Sequence, residues 1–273
     1  MASTIRRRRI APWSAFWLAL AVLYFLVPMY ATAEFSLETG NGQYGFDAYR
    51  VILNDPTFKA SFLLSLRLAL ETVVVSLIIM VPTVYWVHLK LPGLRRFMDF
   101  IAILPFMVPP ITLAIGLLRE LHPLVSVSQL TWLLSSPQQL ILPYVILVMP
   151  FTYRSLDAGM RAIDLRIMTE AAQSVGANWL TILFRVILPN LRSALLSAAF
   201  LTVTIVMGEF TIASLNQFQT FSVYIQYIGS VKANPAAALS IISFTLTWGL
   251  MLSILIIGRQ RGPQQQTQIG TTR

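Results

Sequence analysis

The feature that most constrains this chain is the recurrence of apolar runs, each long enough to cross a bilayer, with most charge confined to the segments between them. Crossing about 30 Å of hydrocarbon takes roughly 20 helical residues. Six stretches meet that measure, near Pro12–Ala33, Leu68–Leu89, Phe97–Leu118, Gln138–Leu156, Leu191–Leu215 and Ala236–Gly258, the fourth being the shortest. In hydrocarbon every backbone N–H and C=O must find its partner within the protein, so the runs read as helices. The expected fold is all-α, a polytopic membrane protein of six transmembrane helices. The 273 residues are 56% hydrophobic and 11% charged, and no stretch is left for a separate aqueous domain. A single membrane domain spanning residues 1–273 is expected.

Charge placement gives an orientation. Arg6–Arg9, Lys90, Arg95, Arg96, Arg154, Arg161, Arg166, Arg185, Arg192, Arg259 and Arg261 all fall on one side if the N-terminus is cytoplasmic, against Arg50, Lys59, Arg67, Arg119 and Lys232 on the other. Positive residues accumulate on the cytoplasmic side of membrane proteins, so both termini are expected there, in a multi-pass protein of a bacterial inner membrane. The net charge of +9 therefore reports orientation, and no nucleic-acid partner is expected. The first span follows a basic run as a secretory signal does. It is long, carries Trp13 and Trp17 and lacks a clean small-residue cleavage site, so it reads as a retained helix. With no cysteine there is no disulfide, thiolate metal site or cysteine nucleophile. His88 and His122 stand apart without metal-ligand spacing, so no metal site is expected. Outward loops are expected at Glu34–Pro56, His122–Pro137 and Asn216–Pro235, and the Gln- and Thr-rich tail from Gly262 to Arg273 reads as disordered.

The longest cytoplasmic connection, about residues 157–190 between spans four and five, carries helix signals of its own. Asp164 can cap a helix over Leu165–Val175, Gly176 can supply the left-handed conformation that ends it, and Asn178 can cap a second helix closed by Pro189. A helix-turn-helix against the inner membrane surface is predicted. Taken alone, these helix signals favour an ordinary amphipathic interfacial helix.

Within this segment stand Glu170-Ala171-Ala172, then Gly176, then Leu188-Pro189. That spacing resembles the EAA motif of permease subunits in binding-protein-dependent ATP-binding-cassette importers. The family's usual isoleucine ten residues after the glycine is here Val186. Looser matches at Ser65–Tyr85 with Pro82, at Leu104–Pro110 and at Gly208-Glu209-Phe210 look like the branch that imports polyamines, opines and aminophosphonates, with ferric-ion and sulfate or molybdate permeases also similar. The resemblance implies a type I importer fold and an ATPase-coupling role for the loop. Ala171 and Ala172 would dock in a cleft of the ATPase, Glu170 would anchor it electrostatically, Gly176 would set the turn geometry, and Leu188 and Pro189 would complete the ATPase-coupling segment. It also implies partners: ATPase subunits that bind ATP and Mg²⁺, a second permease subunit, and an external solute-binding protein. No cofactor is expected in this chain.

Two carboxylates are candidates for the substrate path. Glu209 in the fifth span is costly in hydrocarbon unless it meets water or a partner. It could attract a cationic substrate, pair with a basic group, or cap a broken helix end that Gly208 would permit. Glu71 lies four residues after Arg67 on the same helical face, which suits a neutralised pair as well as a substrate site. Asp99, near Arg95 and Arg96, reads as interfacial. Pro105, Pro109 and Pro110 interrupt the third span, and Pro82, Pro143 and Pro150 interrupt others, either as gating bends or as packing kinks.

The chain has no glycine-lysine phosphate-binding loop, so it cannot supply that kind of ATP site, and no catalytic residues are assigned. The expected function is a non-catalytic permease subunit of an ATP-driven importer. Its expected solute is a polyamine such as spermidine or putrescine, or a related organic cation, opine or phosphonate. The alternative is a secondary transporter or channel subunit, which would be expected to place more ionisable groups mid-span.

Overall fold

The computed structural model describes residues 12–39, 43–117 and 136–259. Arg6–Arg9, Arg119, His122, most of the connection before Pro137 and the tail from Gly262 lie outside the described residues. The described chain is helical, with a single isolated β-bridge between Glu38 and Tyr44. In order the helices are α1 (Pro12–Leu37), α2 (Asp47–Asn54), α3 (Pro56–Leu89), α4 (Arg95–Met107) and α5 (Pro110–Leu117). They continue with α6 (Ile141–Arg161), α7 (Leu165–Ser174), α8 (Trp179–Asn190), α9 (Arg192–Gly208), α10 (Thr211–Leu215), α11 (Phe221–Val231) and α12 (Ala233–Arg259).

Three segments are long and apolar enough to span on their own, Ala15–Leu37, Pro56–Leu89 and Pro137–Arg161. Two bent pairs, α4 with α5 and α8 with α9, bring the number to five if each counts as one span. The sixth stretch read from the sequence falls within the 27-residue α12. The contacts divide the chain into two units. One comprises Met1–Asp55 and Ile225–Phe244, the other Pro56–Tyr224 and Thr245–Arg273. In the first, Ser36 hydrogen-bonds Tyr49 at 2.7 Å, and the Asn234 amide donates to the carbonyls of Phe35 and Glu38 at the end of α1. The second carries every candidate site residue.

Two boundaries differ from the sequence reading for identifiable reasons. The second span was expected to begin at Leu68, yet α3 starts at Pro56 and its 34 residues extend for about 51 Å, well beyond the hydrocarbon thickness. The extra turns are held by aromatic packing: Phe58 lies 6.2 Å from both Phe221 and Tyr224, and Phe62 lies 5.5 Å from Phe221. The third span is two helices that meet at 98°. Val108 takes an extended conformation before Pro109, as a residue preceding proline prefers, and Pro110 opens α5 where a missing N–H costs nothing. Pro82 and Pro150 lie inside continuous helices, and Pro143 sits in the first turn of α6.

Helices α3, α6 and α9 form the centre of the larger unit. The buried face of α3 repeats every three or four residues through Ser61, Ser65, Leu68, Ala69, Thr72, Ser76, Met80 and Val84, while Leu63, Leu70, Val74 and Ile78 face outward. Small buried residues let membrane helices approach closely, and the outward leucines and valines suit lipid. Gly159 on α6 lies directly against Ala194 on α9, with no room for a side chain. Thr72 and Thr152 bond locally, to the Leu68 and Val148 carbonyls, and Ser65 accepts from the Phe221 N–H at 2.8 Å, while the Ser61 hydroxyl has no protein partner. Two apolar clusters result. One joins Leu68, Ala114, Leu140, Tyr144, Val203 and Ile212; the other joins Met80, Tyr85, Ala102, Tyr153, Leu156, Leu165, Leu183 and Leu191.

Candidate functional site

The second cluster contains the helix-turn-helix that the sequence marks between the fourth and fifth spans. Asp164 caps α7 by accepting a hydrogen bond from the Ile167 N–H at 3.2 Å, and Asn178 caps α8 by accepting from the Thr181 N–H at 2.8 Å. Between them Gly176 has φ +79°, the left-handed region a glycine enters without strain. Its N–H donates to the Gln173 carbonyl, and the Ala177 N–H donates to the Ala172 carbonyl at 3.1 Å, which closes the turn. Helix α8 includes a π-helical stretch from Ile182 to Ile187 and continues through Pro189 to Asn190, one residue past the expected stop. The chain then turns by 79° into α9, and Leu188 and Pro189 sit half-buried just before that bend.

Helix α7 has two unlike faces. Leu165 and Thr169 are buried and Ala172 is half-buried against the core, at the i, i+4, i+7 spacing of one helical face. The opposite face presents Ile167, Ala171 and Val175 at intervals of four, with Ile167 63% and Val175 83% exposed. Glu170 lies beside this row, exposed and ion-paired at 2.7 Å with Arg166 one turn earlier. The hydrogen bond that Arg166 donates to this carboxylate raises the guanidinium pKa above its usual value. The result is a firmly seated helix with an exposed apolar row, narrow at Ala171 and bordered by a carboxylate.

Near the end of α6, just before α7 begins, lies a polar cluster that sequence reasoning did not assemble. Asp157 on α6 meets His88 of α3 at 2.8 Å, Arg95 at the start of α4 at 3.3 Å, and Arg161 one turn on at 2.5 Å. Tyr153, one turn before Asp157, donates a hydrogen bond to Asp99 of α4 at 3.0 Å. The Asp157–Arg161 spacing of four was legible in the sequence. The partners 69 and 62 residues away were not.

The two other carboxylates sit apart from the helix-turn-helix. Glu209 occupies the break between α9 and α10, 8% exposed, and accepts hydrogen bonds from the N–H groups of Ile212 at 2.8 Å and Ala213 at 3.2 Å. It thereby satisfies amides at the start of α10 that would otherwise be orphaned. Ser222 donates to its backbone carbonyl, and Tyr144 of α6 lies close to the same carboxylate. Glu71 pairs with Arg67 through Oε1 at 2.8 Å, while its Oε2 is shielded from solvent and has no hydrogen-bond partner. Among the described residues no group of three or more His, Asp or Glu side chains is arranged to hold a metal ion.

A helical chain built this way, with a braced helix-turn-helix between two apolar spans, has the architecture of a transport permease. Residues 90–262 match the family described as binding-protein-dependent transport system inner membrane component, and the chain belongs to that family. It is a permease subunit of an ATP-binding-cassette importer and an inner-membrane component. Among its relatives is PhnU of Salmonella typhi, whose name assigns it to a 2-aminoethylphosphonate transport system, 26% identical over 269 residues covering 91% of each chain. Another is the spermidine/putrescine transport system permease protein PotB of Escherichia coli K12, 26% identical over 224 residues, 76% of this chain and 80% of that one. In fold it resembles a bacterial ABC transporter involved in alginate import, with a TM-score of 0.65 over 90% of this chain and 95% of the other at 20% identity. A related structure of a bacterial alginate transporter in complex with a periplasmic protein bound to an alginate pentasaccharide gives a TM-score of 0.66 at 16% identity, covering 90% of this chain and 94% of the other.

Proposed function

We propose that this subunit, with a second permease, lines the path for a small organic amine, a polyamine such as putrescine or spermidine or an aminophosphonate, and that separate ATPase subunits drive it. Those subunits bind the ATP and Mg²⁺, and this chain is non-catalytic. An external solute-binding protein delivers the solute, and both termini lie in the cytoplasm. The observation that carries the reading is the exposed row Ile167, Ala171 and Val175 on a helix whose other face is locked into the membrane-domain core. A narrow helix of this kind suits insertion into a groove of a partner. Ala171 allows close approach; Ala172, expected to dock beside it, instead packs the other face of α7 against the core. Glu170 meets a basic group of the ATPase, and Gly176, Leu188 and Pro189 hold the angles of the turn and of the bend into α9.

When the ATPase subunits close on ATP, the seated α7–α8 pair transmits the motion to α9 and the pore. Both substrate systems named among the relatives handle solutes that carry a primary amine, which fits the buried Glu209 and the half-buried Glu71, one of whose oxygens is unpartnered, as features of a cation path. The test is uptake of labelled putrescine by cells with and without this chain, with spermidine and 2-aminoethylphosphonate as competitors. Uptake that depends on the chain and falls with either competitor supports the assignment. Putrescine uptake that is unchanged when the chain is deleted, or that neither competitor reduces, contradicts it.

A further inference from the structure

The site that binds the ATPase and the helices that line a path are separate parts of the chain, so something must fix one against the other. Apolar packing alone is non-directional and permits slip. Charge-assisted hydrogen bonds are directional and stronger than neutral ones. Asp157 supplies them where they are needed, four residues from the end of α6 and eight before α7 begins. Its side chain is 10% exposed, and both oxygens are engaged: Oδ1 by His88 and Arg95, Oδ2 by Arg161. The Tyr153–Asp99 hydrogen bond adds a second tie between α6 and α4 one turn away. Leu165, the first residue of α7, is buried in the same cluster as Met80 of α3, Ala102 of α4 and Met160 of α6.

We propose that Asp157 is a positioning residue for coupling: by gathering His88, Arg95 and Arg161 it makes α3, α4 and α6 one rigid body with the α7–α8 pair. Movement of the docked α7 is then delivered to α3 and α4 as well as to α9. The inference rests on the docking role given above. Without the carboxylate, Arg95, Arg161 and His88 lose their common acceptor beside an apolar cluster, and the joint opens.

The absence of cysteine makes the test direct, because spin labels can be placed on an otherwise unreactive chain. Labels at Arg185→Cys on α8 and Phe100→Cys on α4, both exposed positions, report the distance between the two elements in the complex purified with its ATPase, before and after ATP with vanadate. The wild-type background is expected to keep one distance through the cycle. With Asp157→Asn, the ratio of molecules at that distance to displaced molecules is expected to fall about tenfold or more after ATP, while ATPase binding persists. Asp157→Glu is expected to restore it. His88→Gln leaves Asp157 its two arginines, and with the second label moved to Ile78→Cys it should displace α3. An unchanged distance in both variants overturns the proposal, as does failure of both to assemble, since the network would then be required only for folding. A wild-type chain that binds no ATPase would instead sink the docking role itself, and the inference with it.

Discussion

Gly176 is the position where a small change has the most calculable effect. Its φ of +79° lies in the region where a side chain meets its own backbone, at a cost of about 1–2 kcal/mol for an L-residue. No other atom lies within 4 Å of a Cβ added there, so the penalty for Gly176→Ala is purely conformational. Replacing glycine also restricts the open loop, which offsets about 0.4–1 kcal/mol. The net destabilisation of the closed turn is about 1 kcal/mol, a factor of about five in its equilibrium. The Ala177 amide, which donates to the Ala172 carbonyl only when the turn is closed, is the reporter. Its hydrogen exchange should quicken about fivefold in Gly176→Ala, and less in Gly176→Asn because asparagine tolerates this conformation. Uptake should fall in the same order. Equal exchange rates in the glycine, alanine and asparagine proteins would refute the argument that backbone strain at this turn controls α7.

Other perturbations separate structure from transport. Glu209→Ala leaves two buried N–H groups without an acceptor and should destabilise the protein by about 2–4 kcal/mol in a detergent unfolding assay, whereas Glu209→Gln keeps an acceptor and should be milder. If Glu209→Gln unfolds normally but takes up labelled putrescine poorly, the carboxylate charge acts on the solute; wild-type kinetics would remove it from the path. Gly159→Val drives a side chain into Ala194 and toward Leu191, so the α6–α9 contact should lose about 1–3 kcal/mol, read as a lower melting temperature. No shift in melting would mean that the helices are not in this close contact. Arg67→Gln should lower stability by at most about 1 kcal/mol, because the Arg67–Glu71 pair is largely exposed on the arginine side, and a larger loss would show a partner beyond that pair.

What the sequence showed and what it hid divide along a physical line. The caps Asp164 and Asn178 and the turn at Gly176 act within three or four residues, so their chemistry is written in adjacent letters. Apolar length revealed where spans fall, and the Pro109-Pro110 pair warned of the break in the third. The 98° angle between α4 and α5 was not legible, because it is set by packing. The early start of α3 was hidden for the same reason, since Phe58 and Phe62 find their aromatic partners more than 150 residues later. Asp157 was legible only as a possible partner of Arg161 four residues on; His88 and Arg95 reach it from α3 and α4, 69 and 62 residues earlier, which no local spacing shows. Glu209 was legible as an anomaly, a carboxylate in an apolar run. Capping of a helix end broken at Gly208 was one of three readings open to it, and the stop of α9 at Gly208 with the bonds to the Ile212 and Ala213 N–H groups shows that one.

The most direct test of the account is to extract the protein in mild detergent and identify what purifies with it by mass spectrometry, with Glu170→Lys in parallel. The account predicts an ATPase subunit and a second permease in stoichiometric amounts with the wild type, and loss of the ATPase from the variant while the permease pair remains. Recovery of this chain alone, or an ATPase retained equally by both proteins, would contradict respectively the importer assembly and the assignment of α7 as its docking helix.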